Sequence, residues 1–193
     1  MLISVTGPSG IGKGFIKKAV CEHFLKIREL PWTTTRPARK AADESNRVFV
    51  SLEKFQTMTT DGEIILAHSL FGHHYGIEKR LLEIDSGQTM FTELRVENIS
   101  TIKSLGISLV AIGLIPASLE FLRKRLEAYR GTESPEEIEL RLVSAEVEIQ
   151  QILDNREMFL NVIKVAEENE QQIVAVVLEI LTNHLERSVN HEP

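Results

Sequence analysis

The chain opens on a short, mainly apolar run, Leu2–Thr6, that ends at a glycine, the pattern of a short strand buried on both faces. From residue 13 to residue 27 apolar positions recur at helical spacing, so strand, glycine-rich turn and helix form the first unit. The alternation returns later, with a strand expected over 89–94, a helix over 96–105, a strand over 107–114 and a helix over 117–128. Strands separated by helices need crossover connections and therefore pair in parallel. Ile138, Leu142, Ala145, Ile149 and Ile152 mark a long amphipathic helix, with Ser134 suited to its N-cap and Pro135 to its first position. A strand over 159–165 and a helix over 171–185 close the pattern.

Between residues 31 and 88 the rhythm changes to shorter segments with threonine, arginine, histidine and glycine, read as a small lobe inserted at one edge of the sheet. The expected organisation is one domain over 1–187, with a core of 1–30 and 89–187, an acceptor-binding lobe of 31–88, a lid at about 128–137 and a loose tail at 188–193.

Composition narrows the partners. A chain of 193 residues with 42% apolar content can bury one sizeable core, and its net charge of −6 repels a long anionic polymer, so nucleic acid is not an expected partner. The most apolar stretch, 105–119, holds Gly106, Gly113 and Pro116 and falls short of the roughly 20 residues of a membrane span, so no membrane partner is expected either. Cys21 is the single cysteine and can form no internal disulfide, and no basic segment followed by an apolar one precedes Gly7. Both features set the expectation of no signal peptide and a cytoplasmic location.

The chemistry concentrates after the first strand. In the run Gly7, Pro8, Ser9, Gly10, Ile11, Gly12, Lys13, backbone N–H groups can converge on a polyphosphate at a helix start while the lysine reaches the outer phosphates. ATP is the expected ligand, contacted by residues 7–15, and the fold expected is α/β: a P-loop NTPase-type parallel sheet flanked by helices. The motif ordinarily ends in Ser or Thr, whose hydroxyl ligates magnesium, but Gly14 and Phe15 offer none. Magnesium is then expected to be held by phosphates and water, with Glu93, at the end of the 89–94 strand, as a candidate to hold a metal-bound water; the alternative is a strand-end surface charge.

Taken in order, these motifs resemble the guanylate kinase family over nearly the whole chain. The loop from Gly7 to Gly14 is similar to that family's P-loop, Thr34-Thr35-Arg36-Pro37-Ala38-Arg39 to its phosphate-gripping segment, Phe49-Val50-Ser51 through Phe55 to the following strand and helix, and the turn from Gly72 to Gly76 to its Tyr-Tyr-Gly turn. Arg125-Leu126-Glu127 and Arg130-Gly131-Thr132-Glu133 resemble the entry to its lid. The resemblance implies an ATP- and magnesium-dependent kinase in which Arg36 and Arg39 grip an acceptor phosphate, Tyr75 borders the acceptor, and Lys13, Arg130 and Arg141 act on the transferring group.

The acceptor pocket departs from the family pattern. A gapless reading back from Gly76 puts Leu66 where GMP-phosphorylating members have a base-reading glutamate, and Ile77 follows the turn where they have a hydroxyl. Arg47 replaces a phosphate-contacting tyrosine, and Arg95 an aspartate after the Glu93 strand. Together Arg36, Arg39, Arg47, Leu66, Tyr75, Ile77, Glu93 and Arg95 form the expected acceptor site. Fewer base contacts and more arginines resemble ribose 1,5-bisphosphate phosphokinase, so the expected acceptor is ribose 1,5-bisphosphate, converted to phosphoribosyl diphosphate. The alternatives are GMP kinase and, from another class, a catalytically silent guanylate kinase-like interaction module. His68, His73 and His74 lie close together without a zinc-ligand spacing and are read as a substrate-side loop, His74 beside the acceptor.

Overall fold

The computed structural model describes residues 1–38, 47–83, 87–129, 134–166 and 170–189. Strand β1, Leu2–Thr6, is buried along its whole length. It pairs in parallel with β7, Thr89–Glu93, on one side and with β8, Leu109–Pro116, on the other. Strand β2, Ile27–Glu29, extends the sheet beyond β7, and β9, Asn161–Val165, extends it beyond β8, giving the order β2-β7-β1-β8-β9. This is the parallel α/β sheet expected from the sequence. Because all strands run one way, their carboxyl ends share an edge, where ligands of open α/β sheets bind.

Helices cover both faces: α1, Lys13–His23; α3, Val96–Ser104; α4, Leu119–Tyr129; α5, Pro135–Asp154; and α6, Glu170–Val189. Helix α1 stops at His23 rather than at residue 27. Phe24 has φ −103 and ψ 85, outside helical space, and Ile27 is buried as the first residue of β2, opposite Thr89. A buried isoleucine near a helix end fits either period, and here pairing with the sheet won. Helix α5 begins as its sequence requires. The Ser134 side chain accepts from the Glu137 N–H, the Glu137 carboxylate accepts from the Ser134 N–H at 2.7 Å, and Pro135 opens the helix. The tail expected from residue 188 is still helical at Val189, and residues 190–193 lie outside the described residues.

The inserted lobe has a sheet of its own, a feature the sequence pattern left unassigned. Its strands are β3, Trp32–Thr34, β4, Arg47–Phe49, β5, Ile64–Leu70, and β6, His73–Glu78, in the order β4-β3-β6-β5. Phe71 (φ 49) and Gly72 (φ 77) join β5 to β6 as a two-residue turn with both φ angles positive, which suits the twist of a hairpin. Helix α2, Leu52–Thr60, buries Phe55 and Met58 against Ile64. Trp32 and Ile77 of the lobe pack with Leu2, Leu30, Leu94 and Ile102, so lobe and central sheet share a hydrophobic cluster. Each such side chain, fully buried, contributes about 1.5–3 kcal/mol. Among the described residues no helix is long and apolar enough to cross a membrane.

Candidate phosphate-transfer site

A cleft of about 930 Å³ opens where the carboxyl ends of β1 and β7 meet the lobe. Its floor is the loop between β1 and α1, represented by Gly7, Ser9, Gly10, Gly12, Lys13, Gly14 and Phe15. The N-terminus of α1 is capped by no side chain and has no acidic residue in its first turn, in contrast to α5, whose start carries Ser134, Glu136 and Glu137. The unopposed N–H groups and positive dipole end of α1 therefore remain for a ligand's anion. Lys13 folds over the loop, donating to the carbonyl oxygens of Gly7 at 2.5 Å and Pro8 at 3.1 Å, which leaves one ammonium proton uncommitted among the described residues.

The loop is braced from behind. Arg125 donates from Nε to the Gly10 carbonyl at 2.9 Å while its guanidinium lies over the Phe121 ring. Gly10 has φ +86, and a Cβ there would come within 2.8 Å of Leu126 Cδ2, so α4 packs against a backbone that only glycine allows. Ile11 is buried in the main core and spends its N–H on the Pro8 carbonyl at 3.2 Å, and neither Pro8 nor Ile11 lines the cleft. Both were expected to contact ATP. Their place in the structure is to shape the loop.

Parallel pairing sets Glu93 opposite Val5, beside the start of the loop, and its carboxylate lines the cleft. Arg36 and Arg47 come from the lobe, Arg95 from the start of α3, and Arg125 and Arg141 from α4 and α5. Among the described residues these make, with Lys13, six cations against the carboxylates of Glu93, Glu137 and Glu148, a local positive balance in a chain of net charge −6. Arg141 donates from Nη1 to Ser9 Oγ at 3.4 Å and stacks over the Phe71 ring with its guanidinium carbon 4.3 Å from the centroid, joining α5, the loop and the tip of the lobe hairpin. Arg36 donates to the Pro37 carbonyl at 3.0 Å and lies over Phe49. Arg39 and Arg130, both expected in the site, lie outside the described residues.

Several acceptor-side expectations need correction. Ile77 is 0% exposed in the cluster with Leu2 and Trp32, and cannot touch a ligand in the cleft. Leu66 also turns into that cluster and does not line the cleft. The cause is a register shift in the hairpin: Ile65 faces Ile77 but His68 faces Tyr75, and Leu66 adopts φ 54 within the irregularity. A reading of the chain without its partner strand does not show this irregularity. His68 lines the cleft instead of Leu66, and His73 does so instead of His74, whose ring nitrogen is engaged with Ser69 Oγ at 2.9 Å. Arg95 is present but paired, donating to Glu97, so it adds less free positive charge than its sequence position suggested.

The aromatic wall formed by Trp32, His68 and Tyr75 was missed by motif reading. Tyr75 and His68 stack at 5.5 Å, and Trp32 meets the His68 ring edge-on at 5.4 Å. Burial, the largest influence, pushes the His68 imidazole below its ordinary value, reinforced by the Arg95 charge and opposed by the Leu66 carbonyl and Glu97. Trp32 Nε1 donates to Thr92 Oγ1 at 2.9 Å, which anchors the wall to β7.

Comparison with known proteins places this geometry. The family described as Guanylate kinase matches residues 1–186. A guanylate kinase of Clostridioides difficile (strain 630) is 34% identical over 161 residues, covering 80% of this chain and 76% of that one. A guanylate kinase of Thermus thermophilus is 32% identical over 189 residues, covering 97% and 83%. Among solved structures, guanylate kinase from Anaplasma phagocytophilum has the same fold, with a TM-score of 0.69 and 24% identity over 95% of this chain and 85% of that one. The site is that of a P-loop phosphotransferase, and the chain belongs to the guanylate kinase family. The expectation of ribose 1,5-bisphosphate as acceptor is overturned by these relatives, which are guanylate kinases. In the structure Leu66 and Ile77 do not line the cleft and Arg95 is paired with Glu97, while Arg47 does line it.

Proposed function

We propose that the protein transfers the γ-phosphoryl group of ATP to GMP, yielding ADP and GDP. The observation that carries the reading is the cleft itself, in which an uncapped helix N-terminus with Lys13 faces arginines from the lobe across a single cavity. Phosphoryl transfer needs its two anions held in line and their developing charge neutralised, with little covalent chemistry from the protein. The loop amides and Lys13 take the donor's β and γ phosphates, Arg36 and Arg47 take the acceptor phosphate, and Arg141 stands between, within reach of Ser9. Arg39 and Arg130 join them by the family resemblance. The names of the relatives support GMP over other acceptors.

Magnesium fits as an ion carried in by the nucleotide. Among the described residues no three His, Cys, Asp or Glu side chains gather around one point, yet the Glu93 carboxylate lines the cleft beside the loop and is the oxygen donor suited to holding a metal-bound water. When bound, the ion neutralises charge on the β and γ phosphates. The protein's own part is positioning: Gly14 and Phe15 supply no hydroxyl, and the loop amides with Lys13 orient the phosphates.

The test is a steady-state panel of GMP, AMP, CMP and UMP with ATP and magnesium, following ADP release. GMP should be turned over with kcat/KM at least about a hundredfold above the other three, the discrimination a hydrogen-bonding pocket achieves readily. A panel in which GMP is inert, or no better than AMP, overturns the reading.

A further inference from the structure

Resting on GMP as acceptor, we propose that His68 reads the acceptor base, its Nε2 accepting a hydrogen bond from the guanine N1–H. If GMP fails as a substrate, this assignment fails with it; the experiment below separates the two.

A pocket selective for guanine needs a hydrogen-bond acceptor facing the N1–H edge, because adenine presents a bare nitrogen at the same place. The two positions at which such a group was sought are apolar, Ile77 buried in the hydrophobic cluster and Leu66 partly buried against it. Among the described residues, Arg36 and Arg47 from the lobe and Arg95 at the start of α3 line the cleft, and all three only donate. Among the described residues, the acidic side chains that line the cleft are Glu93, beside the phosphate loop, and Glu137 and Glu148, on α5.

His68 has the missing property, and its tautomer follows from its surroundings. Nδ1 lies 3.1 Å from the Leu66 carbonyl oxygen. A carbonyl can only accept, so Nδ1 carries the proton, and in the neutral ring Nε2 is left with a lone pair. Among the described residues Nε2 has no hydrogen-bond partner, and the side chain lines the cleft.

The ring is also held in place. Tyr75 stacks on it with an interplanar angle of 17°, and Trp32 meets its edge at 77°, itself fixed through Thr92. A hydrogen-bonding group pre-set in this way loses little freedom when it binds. The backbone that presents the Leu66 carbonyl is strained, since Leu66 has φ 54, a left-handed region that a leucine rarely enters. That strain occurs at the register shift that turns Leu66 inward and puts His68 opposite Tyr75. The same irregularity thus removes the expected base reader and supplies another.

The experiment uses the full chain with ATP and magnesium, measuring kcat and KM for GMP, 1-methyl-GMP and AMP in the parent, His68→Leu and His68→Gln. In the parent, 1-methyl-GMP should show a KM about tenfold or more above that of GMP, the worth of one well-made hydrogen bond. His68→Leu should raise the KM for GMP about tenfold, lower the GMP to AMP preference equally, and leave kcat and the KM for ATP within about twofold. His68→Gln, whose amide oxygen can accept, should recover most of the preference. If the parent turns over no GMP, the functional reading itself is overturned. If it turns over GMP and 1-methyl-GMP equally well, or if Leu and Gln variants of matching thermal stability keep the parent's preference, the assignment of His68 alone is overturned. The 1-methyl-GMP arm needs no variant, so poor folding of a substituted chain cannot shelter the proposal.

Discussion

Two glycines of the phosphate loop should respond in opposite directions to the same added methyl group. At Gly10 the backbone has φ +86, and a Cβ would lie 2.8 Å from Leu126 Cδ2 and 3.2 Å from Leu126 Cγ. Leu126 is fully buried in the main core beside Leu122, so it cannot swing aside into solvent. The left-handed backbone costs an alanine roughly 1–2 kcal/mol, and the overpacking a further 1–3 kcal/mol or so, giving a loss of roughly 2–5 kcal/mol for Gly10→Ala. For a chain of this size that is a fall in Tm of roughly 4–20 °C. At Gly14, inside α1, nothing lies within 4 Å of the added methyl and φ is not positive, so Gly14→Ala should gain up to about 1 kcal/mol and raise Tm by roughly 1–4 °C. Scanning calorimetry without nucleotide reads both. A second scan with ATP at a hundred times its dissociation constant should add about 2.7 kcal/mol to the parent and much less to Gly10→Ala, whose loop is displaced. If Gly10→Ala melts within about 1 °C of the parent, or the two variants move the same way, the packing of α4 against the loop is not as described.

Ser134→Ala removes one half of the capping box of α5 and should cost about 1 kcal/mol, seen as a drop of roughly 2–4 °C in Tm with little change in kcat. Arg141→Met keeps an aliphatic chain but removes the guanidinium that lies over Phe71 and beside Ser9, and should lower kcat by about a hundredfold with a smaller change in the KM for ATP; an unchanged kcat would exclude Arg141 from the transfer step. Acid should weaken the fold in two stages. The His68 pKa is pushed below its ordinary value, chiefly by burial and also by Arg95, so the unfolded chain takes up that proton first, and stability declines as pH falls from about 6.5 through the folded value. For Glu97 burial works toward a higher value, but the hydrogen bond and charge of Arg95 outweigh it and hold the carboxyl below 4.5, so its contribution is lost only below that pH. Thermal melts between about pH 7.5 and 4 should show the upper stage flattened in His68→Leu, where Glu97 and Arg95 remain.

The parallel sheet and its phosphate loop were legible in the sequence because their signals are local. An apolar run into a glycine-rich turn specifies β1, the loop and α1 without reference to the rest of the chain, and Ser134 with Pro135 marks the start of α5 in the same way. Expectation failed where a residue's place depends on a partner strand. Ile27 and Phe24 fit a helical period, but pairing with β7 takes Ile27 out of the helix. The acceptor lobe shows the larger failure, since one irregularity between Ile65 and His68 exchanges which side chains face the cleft, and the positive φ of Leu66 has no glycine or asparagine to announce it. Arg95 was read as added positive charge because its position alone does not show the pairing with Glu97, two residues on, that the start of α3 brings about. A signal for His68 did exist, an aromatic residue, Trp32, preceding the threonine and arginine segment, but nothing in the spacing said that the two would meet.

The central claim is direct transfer from ATP to the acceptor phosphate within the one cleft. It is tested most sharply by incubating the protein with γ-labelled ATP, magnesium and GMP, and following where the label goes. The account predicts label in the β-phosphate of GDP in step with ADP formation, at least about a thousandfold slower in Lys13→Ala. Label appearing only as inorganic phosphate, or in GDP equally fast without Lys13, would contradict it.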